Sequence, residues 1–312
     1  MAAEATGVFF YVYVSYVVDF QPSLMSDRYA GIAAEASFFL NGTEPAFGSL
    51  FTIGVAYAFG IAFAIITSAS ASGGHFNPAI TLCLAYWQGF PWRKVPYYIF
   101  AQCFGSFMAG LVLVGQYWPQ LEALKLSTIA TGASANSAGG PGSILCSFPA
   151  ATQTNYGYLF LIEFFACTFV GIIIWACIDH SNPFMTPSMA PWAIGLSYAV
   201  MVWGFADVTI SLNLARDSGT RIVAAIFYGS DAFNRYTPIA WLVNIPATFL
   251  ATTYYETVMR DSLKLVAIGH GTHEDGDEGL RRHLTKTATV DVGFDRRRND
   301  RGEKGSSDNS PV

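Results

Sequence analysis

Six stretches of this chain are apolar over close to the length a helix needs to cross a bilayer, about 20 residues. They cover residues 2–18, 50–69, 95–117, 158–178, 192–208 and 239–255. Backbone N–H and C=O groups cannot stay unpaired in hydrocarbon, so such a set predicts a bundle of membrane-spanning helices. Composition agrees where it bears on this point. Charged residues make up 12% of the 312, about half the roughly 25% of a soluble domain, while hydrophobic residues reach 52% and mean hydropathy is +0.36. Nine of the 17 Lys/Arg and ten of the 22 Asp/Glu follow residue 260. That mixed, unsegregated tail excludes a nucleic-acid partner. The five cysteines (Cys83, Cys103, Cys146, Cys167, Cys177) contain no CxxC pair, and four lie in apolar runs. They are neither a disulfide framework nor a metal site, and no cofactor is expected.

Two further apolar segments are too short to span. Residues 77–86 follow Ser72-Gly73-Gly74-His75-Phe76, and residues 213–227 follow Thr209-Ile210-Ser211-Leu212. Each opens with an Asn and carries polar groups that lipid would not accept. Short interrupted segments at matching positions of two halves predict half-helices that meet at the midplane. The halves repeat: Glu4 and Glu163 each stand in an apolar helix, and an Asn-x-Ala triplet follows after another span. Three spans per half is odd, so the halves insert with opposite orientation. The expected fold is an all-α membrane protein, with six transmembrane helices and two re-entrant half-helices in inverted repeats. The channel domain is expected over 1–256, with repeats at about 1–116 and 157–256 joined by an external loop at 117–156. A cytoplasmic, disordered tail follows at 257–312.

Arg93 and Lys94 before the third span, and the basic residues of the tail, place both termini in the cytoplasm. The loop 19–49 is then outside, and its Asn41-Gly42-Thr43 sequon is on the side where glycosylation occurs. The first span begins almost at Met1, without the basic region or cleavage site of a signal peptide.

Asn77-Pro78-Ala79 carries the first piece of chemistry. Pro suits a first helical turn, where its missing N–H would be unpaired anyway, and Asn ahead of it caps the helix. Two half-helix N-termini meeting tip to tip make a positive ridge. Each Asn then offers a donor to a passing oxygen, which a neutral water or alcohol accepts while a cation is repelled. Asn213-Leu214-Ala215 is the second triplet, with Leu in place of Pro. The donor and the small Ala remain, so the geometry is expected to survive with more freedom. Arg216 follows at once. An intramembrane Arg reads as functional by default; the alternatives are a buried polar network or an Arg snorkelling to the interface. Asp217 should face away from the lumen and steady the loop, and Arg221 is spaced to pair with it at i, i+4. Glu4 and Glu163 are either proton carriers or acceptors for loop backbone N–H groups, and the second role is favoured. Asp207 is expected to be structural, His75 to bond backbone below the first half-helix, and pH gating through His75 or His180 is a weaker idea. Cys83 is a core residue or a mercurial target.

These residues resemble the major intrinsic protein family, the aquaporins and aquaglyceroporins, over roughly residues 2–256. The carriers are residues 72–79, Ala101-Gln102-Cys103-Phe104-Gly105, residues 213–221 and the repeat glutamates. Asp217 after Arg216, Cys146-Ser147-Phe148-Pro149 before the fourth span and Asp179-His180-Ser181-Asn182 after it are similar to the glycerol-conducting branch. The resemblance implies a four-residue selectivity filter at Tyr57, Ile210, Arg216 and, in the fifth span, Met201 or Val202. It also implies a pore within each subunit of a homotetramer. Leu214 for Pro, Tyr57 for a larger Trp, and a non-aromatic Ile210 depart from the family pattern.

The function expected is passive diffusion of glycerol and other small neutral solutes, with water, across a lipid bilayer, taken to be the plasma membrane, with ions and protons excluded. A water-selective pore, one that could also pass peroxide, is the alternative. An ion-coupled secondary transporter is a third reading, with only Glu4 and Glu163 to carry protons. No nucleophile–base pair or phosphate-binding loop suggests an enzyme.

Overall fold

The computed structural model describes residues 1–14, 50–206 and 208–260. Asn41, Asp207, the end of the first span and the tail from 261 lie outside the described residues. Six spans are built from α1 (Ala2–Val14), α2 (Leu50–Ser72), α4 (Val95–Gln116), α7 (Tyr156–Ile178), α8 (Ala190–Phe205) and a sixth made of α10 (Thr237–Leu242) and α11 (Asn244–Tyr254). That last span closes in a π-helical turn, Tyr255–Met259. Three of the helices, Ile53–Ser72, Trp92–Gln116 and Tyr156–Ile178, are long and apolar enough to cross a membrane by themselves. The half-helices are α3 (Pro78–Trp87) and α9 (Leu214–Tyr228). No strand occurs among the described residues.

The packing repeats between the halves. Span one lies against spans two and three, and span four against spans five and six. The first half-helix packs on span six of the other half, and the second on span three. Spans two and five meet along the centre. Outward faces carry large apolar side chains such as Phe51, Phe63, Phe100, Phe104, Leu161 and Leu250, all exposed, as lipid requires. The polar side chains turn inward: Glu4, Gln102, Glu163, Asp217 and Arg221 are fully buried.

Small residues let backbones approach, which drives helix association in lipid. A Cβ on Gly105 of span three would strike the Ala5 carbonyl of span one. One on Gly195 of span five would strike the Ala58 carbonyl of span two. Both crossings therefore need glycine.

The connector after span three is more ordered than its Ala-, Ser- and Gly-rich composition suggests. It folds into α5 (Trp118–Ala130) and a short α6 (Pro141–Leu145). Pro119 and Pro141 each sit in a first turn, where the helix loses nothing to the missing N–H. The segment that follows, Cys146-Ser147-Phe148, is buried against the second half-helix, which brings this connector to the site.

Candidate functional site

The two half-helices begin at Asn77 and Asn213, both in extended backbone. Asn77 Oδ1 accepts from Ala79 N at 2.9 Å. Asn213 Oδ1 accepts from Ala215 N at 2.9 Å and Arg216 N at 3.3 Å. Leu214 leaves this cap as well formed as its Pro-bearing counterpart. The tips are tied across the repeat: Asn77 Nδ2 donates to the Leu212 carbonyl at 3.0 Å, and Asn213 Nδ2 to the Phe76 carbonyl at 2.8 Å. Each amide thus uses one proton on the opposite half and keeps a second.

The residues ahead of the caps are bent. Phe76 has φ 50° and Leu212 φ 60°, left-handed conformations costing an ordinary side chain about 1–3 kcal/mol. Two buried carboxylates hold them. Glu4 accepts from His75 N at 3.0 Å and Phe76 N at 2.9 Å, and its Oε2 also takes Gln102 Nε2 at 2.9 Å. Glu163 accepts from Ser211 N at 2.8 Å and Leu212 N at 2.6 Å. The acids occupy equivalent places beneath the two bends, as their order, each one span ahead of its Asn triplet, suggests. Among the described residues the His75 ring meets a side chain rather than backbone: its Nδ1 lies 3.3 Å from Thr81 Oγ1, and its ring packs against Phe90 and Tyr98. A short polar side chain one turn into the half-helix is the nearer partner. Cys83 is fully buried in the core.

Arg216 is buried, 3% exposed, and is held from the connector between spans three and four. Its Nη1 donates to Ser147 Oγ at 2.8 Å, and its carbonyl accepts from Ser106 Oγ. Ser147 Oγ donates in turn to the Ile210 carbonyl at 3.0 Å. One serine thereby links two of the residues the sequence groups at the filter. Asp217 lies beside this guanidinium, its Oδ1 3.7 Å from Arg216 Nη1, and is fully buried. It accepts from Ser147 N at 2.9 Å, Trp241 Nε1 at 2.9 Å and Arg221 Nε at 2.6 Å. Arg221 donates onward to the Ser147 and Ala232 carbonyls and lies 5.0 Å from the centre of the Phe148 ring. A buried ion pair survives desolvation only with its remaining donors and acceptors satisfied, and here three separate segments satisfy them.

Tyr57, Met201, Val202 and Ile210 are all buried. Beneath them lies a cavity of about 40 Å³ that includes Ile61, Ile65, His75, Asn77, Ile194, Tyr198 and Asn213 in its lining, room for about three waters. The lining is mostly apolar, with the Asn tips as its polar points. Trp241, Tyr11 and Tyr198 are site residues that sequence reasoning does not single out, and Ser147 enters it only within a family-like segment with no role of its own. The i, i+7 spacing of Tyr11 from Glu4 is the one signal that could have drawn attention to it.

Among known proteins, the model of the family described as "Major intrinsic protein" matches residues 1–235. The chain is 36% identical over 287 residues to Aquaporin-3 of Laccaria bicolor, covering 90% of this chain and 82% of that relative. It is 34% identical over 217 residues to Aquaglyceroporin-2 of Rhizophagus irregularis, covering 68% of this chain and 66% of that one. Among solved structures it is similar to the aquaglyceroporin from Plasmodium falciparum, with a TM-score of 0.66 at 19% identity, over 84% of this chain and 96% of that chain.

Proposed function

The chain belongs to the major intrinsic protein family, and from that premise we propose that it is a passive channel for glycerol and other small neutral solutes, with water. Membership makes it an integral membrane channel of the aquaporin and aquaglyceroporin type, passing water and small solutes. The narrower reading rests chiefly on one observation: Arg216 is buried and fixed by Ser147 in the same layer as Ile210, whose carbonyl that serine also binds. A fixed guanidinium donates to hydroxyls and repels cations, and an apolar wall suits the CH face of a polyol. The cross-tied Asn77 and Asn213 supply donors deeper in the pathway. Glu4 and Glu163 hold the bends and carry no protons. Tyr57, Ile210, Arg216 and a fifth-span residue, Met201 or Val202, form the narrow ring.

The channel works as a homotetramer in the plasma membrane, with both termini cytoplasmic and Asn41 glycosylated outside. Proteoliposomes containing the purified protein decide the solute. In stopped-flow measurements, glycerol entry is expected to be faster than in empty liposomes, with water permeability raised alongside. Water permeability without glycerol entry would leave the water-selective alternative.

A further inference from the structure

Span six is interrupted where it passes the second half-helix. Pro246 brings no N–H to the helix ladder, and α11 starts afresh at Asn244 in the run Leu242-Val243-Asn244-Ile245-Pro246. The Asn244 side chain is buried, and its Nδ2 donates to the Leu212 carbonyl at 3.0 Å. The same amide lies 3.4 Å from Thr248 Oγ1, one turn further on. The Leu212 carbonyl therefore holds two amides, since Asn77 Nδ2 also reaches it at 3.0 Å. A carbonyl oxygen has two lone pairs, so both donors are seated at once.

The two halves differ here in a way that matches their sequences. Proline at the first helical position biases the residue before it toward extended backbone, and Pro78 does so for Asn77, at φ −143° and ψ 129°. Leu214 imposes no such restriction, yet Asn213 has nearly the same conformation, φ −153° and ψ 114°. Both halves have the carboxylate under the bend, the side-chain cap and the cross-tie. The Asn213 cap adds Arg216 N at 3.3 Å, which steadies the first turn of the half-helix and not the bend before it. Asn244 acts on the bend itself, at the carbonyl that joins it to Asn213. In the first half the amide from the third span, Gln102 Nε2, goes instead to Glu4 at 2.9 Å and Thr81 at 3.0 Å.

We propose that Asn244 is a positioning residue of the pore, standing in for the proline that the second half-helix lacks. It fixes the peptide between Leu212 and Asn213, and with it both the direction of Asn213 and the carbonyl that Asn77 grips. Positions 214 and 244 then act as one unit: a proline at the first or an amide at the second suffices, and loss of both lets the tips turn. This rests on the channel reading above, and Asn244 acts through the two tip asparagines rather than on the solute.

The test is a double-mutant cycle of wild type, Asn244→Leu, Leu214→Pro and the pair, in proteoliposomes at equal densities of folded protein. Leucine is close to asparagine in size and removes the donor. Water permeability is the main readout, and the ratio of glycerol to water permeability the second. With leucine at 214, Asn244→Leu is expected to lower water permeability several-fold and to shift the ratio. With proline at 214, the same substitution should change either by less than about twofold, the usual error of additivity. Packing alone gives no reason for proline to abolish the effect. Wild-type permeability in Asn244→Leu, or an equal loss in both backgrounds, would overturn the proposal. Should Asn244→Leu fail to fold by itself, folded and water-conducting protein from the pair upholds it, and failure of the pair overturns it. A wild type that passes water but not glycerol removes the glycerol reading and leaves the water arm of the cycle to decide.

Discussion

Glu163→Gln separates the two roles an intramembrane acid can have. The carboxylate takes Ser211 N at 2.8 Å on one oxygen and Leu212 N at 2.6 Å on the other. Glutamine is nearly the same size but has one acceptor oxygen, and its NH₂ then faces the other backbone N–H. One charge-assisted bond, worth about 1.5–3 kcal/mol, is lost and a buried donor is left unpaired. The surviving bond weakens to a neutral one, about half as strong. Against this, a fully buried charge no longer has to be desolvated. The net loss should be about 2–3 kcal/mol, or a melting temperature lowered by about 5–10 °C. Thermal unfolding in detergent measures it, and stopped-flow swelling at equal folded density measures flux. Reduced stability with flux retained per folded protein is expected. A variant as stable as wild type would refute the bonding argument, and one that keeps its stability but loses all flux would make Glu163 a proton carrier.

Arg216→Ala is expected to widen the narrow ring and admit protons, read as faster collapse of a pH gradient reported by an enclosed dye; unchanged proton and solute permeability would count against its placement. Ser147→Ala removes the acceptor for Arg216 Nη1 and the donor to Ile210, a loss of about 1–3 kcal/mol. It should shift the ratio of glycerol to water permeability while the protein still elutes as a single folded species. Gly195→Val drives a side chain into the Ala58 carbonyl, so spans two and five cannot close. Overpacking of this kind costs about 1–3 kcal/mol or more, and little monodisperse protein should be recovered.

The bundle, the half-helices and the acids beneath them were legible because lipid forces each into the sequence. Long apolar runs, caps with Pro or Ala beside them, and isolated glutamates have few alternative explanations inside a membrane. The Asp217–Arg221 pair could be read from i, i+4 spacing alone, and it closes at 2.6 Å. What the sequence hid is what comes from far along the chain. Ser147 reaches Arg216 across 69 positions, and no local pattern marks a loop serine as the anchor of an intramembrane arginine. Trp241 reaches Asp217 from a different span. Tyr11 and Tyr198 look like ordinary aromatic core residues until the folded bundle brings both onto the cavity wall. The ordered helices at 118–130 and 141–145 were missed because their composition is that of a flexible linker and only the neighbouring prolines announce them.

Phe76 and Leu212 have a consequence for how the molecule is made. Each sits in a left-handed bend, and each lends its carbonyl to the opposite half's asparagine. During synthesis the earlier bend emerges some 136 residues before its counterpart, and until then Asn77 has nothing to grip. The amino-terminal half must wait in the bilayer with its re-entrant segment unsettled, and maturation is complete only once the ribosome has passed the second asparagine. Truncations that stop short of that point should yield a product cleared by quality control rather than a smaller working pore.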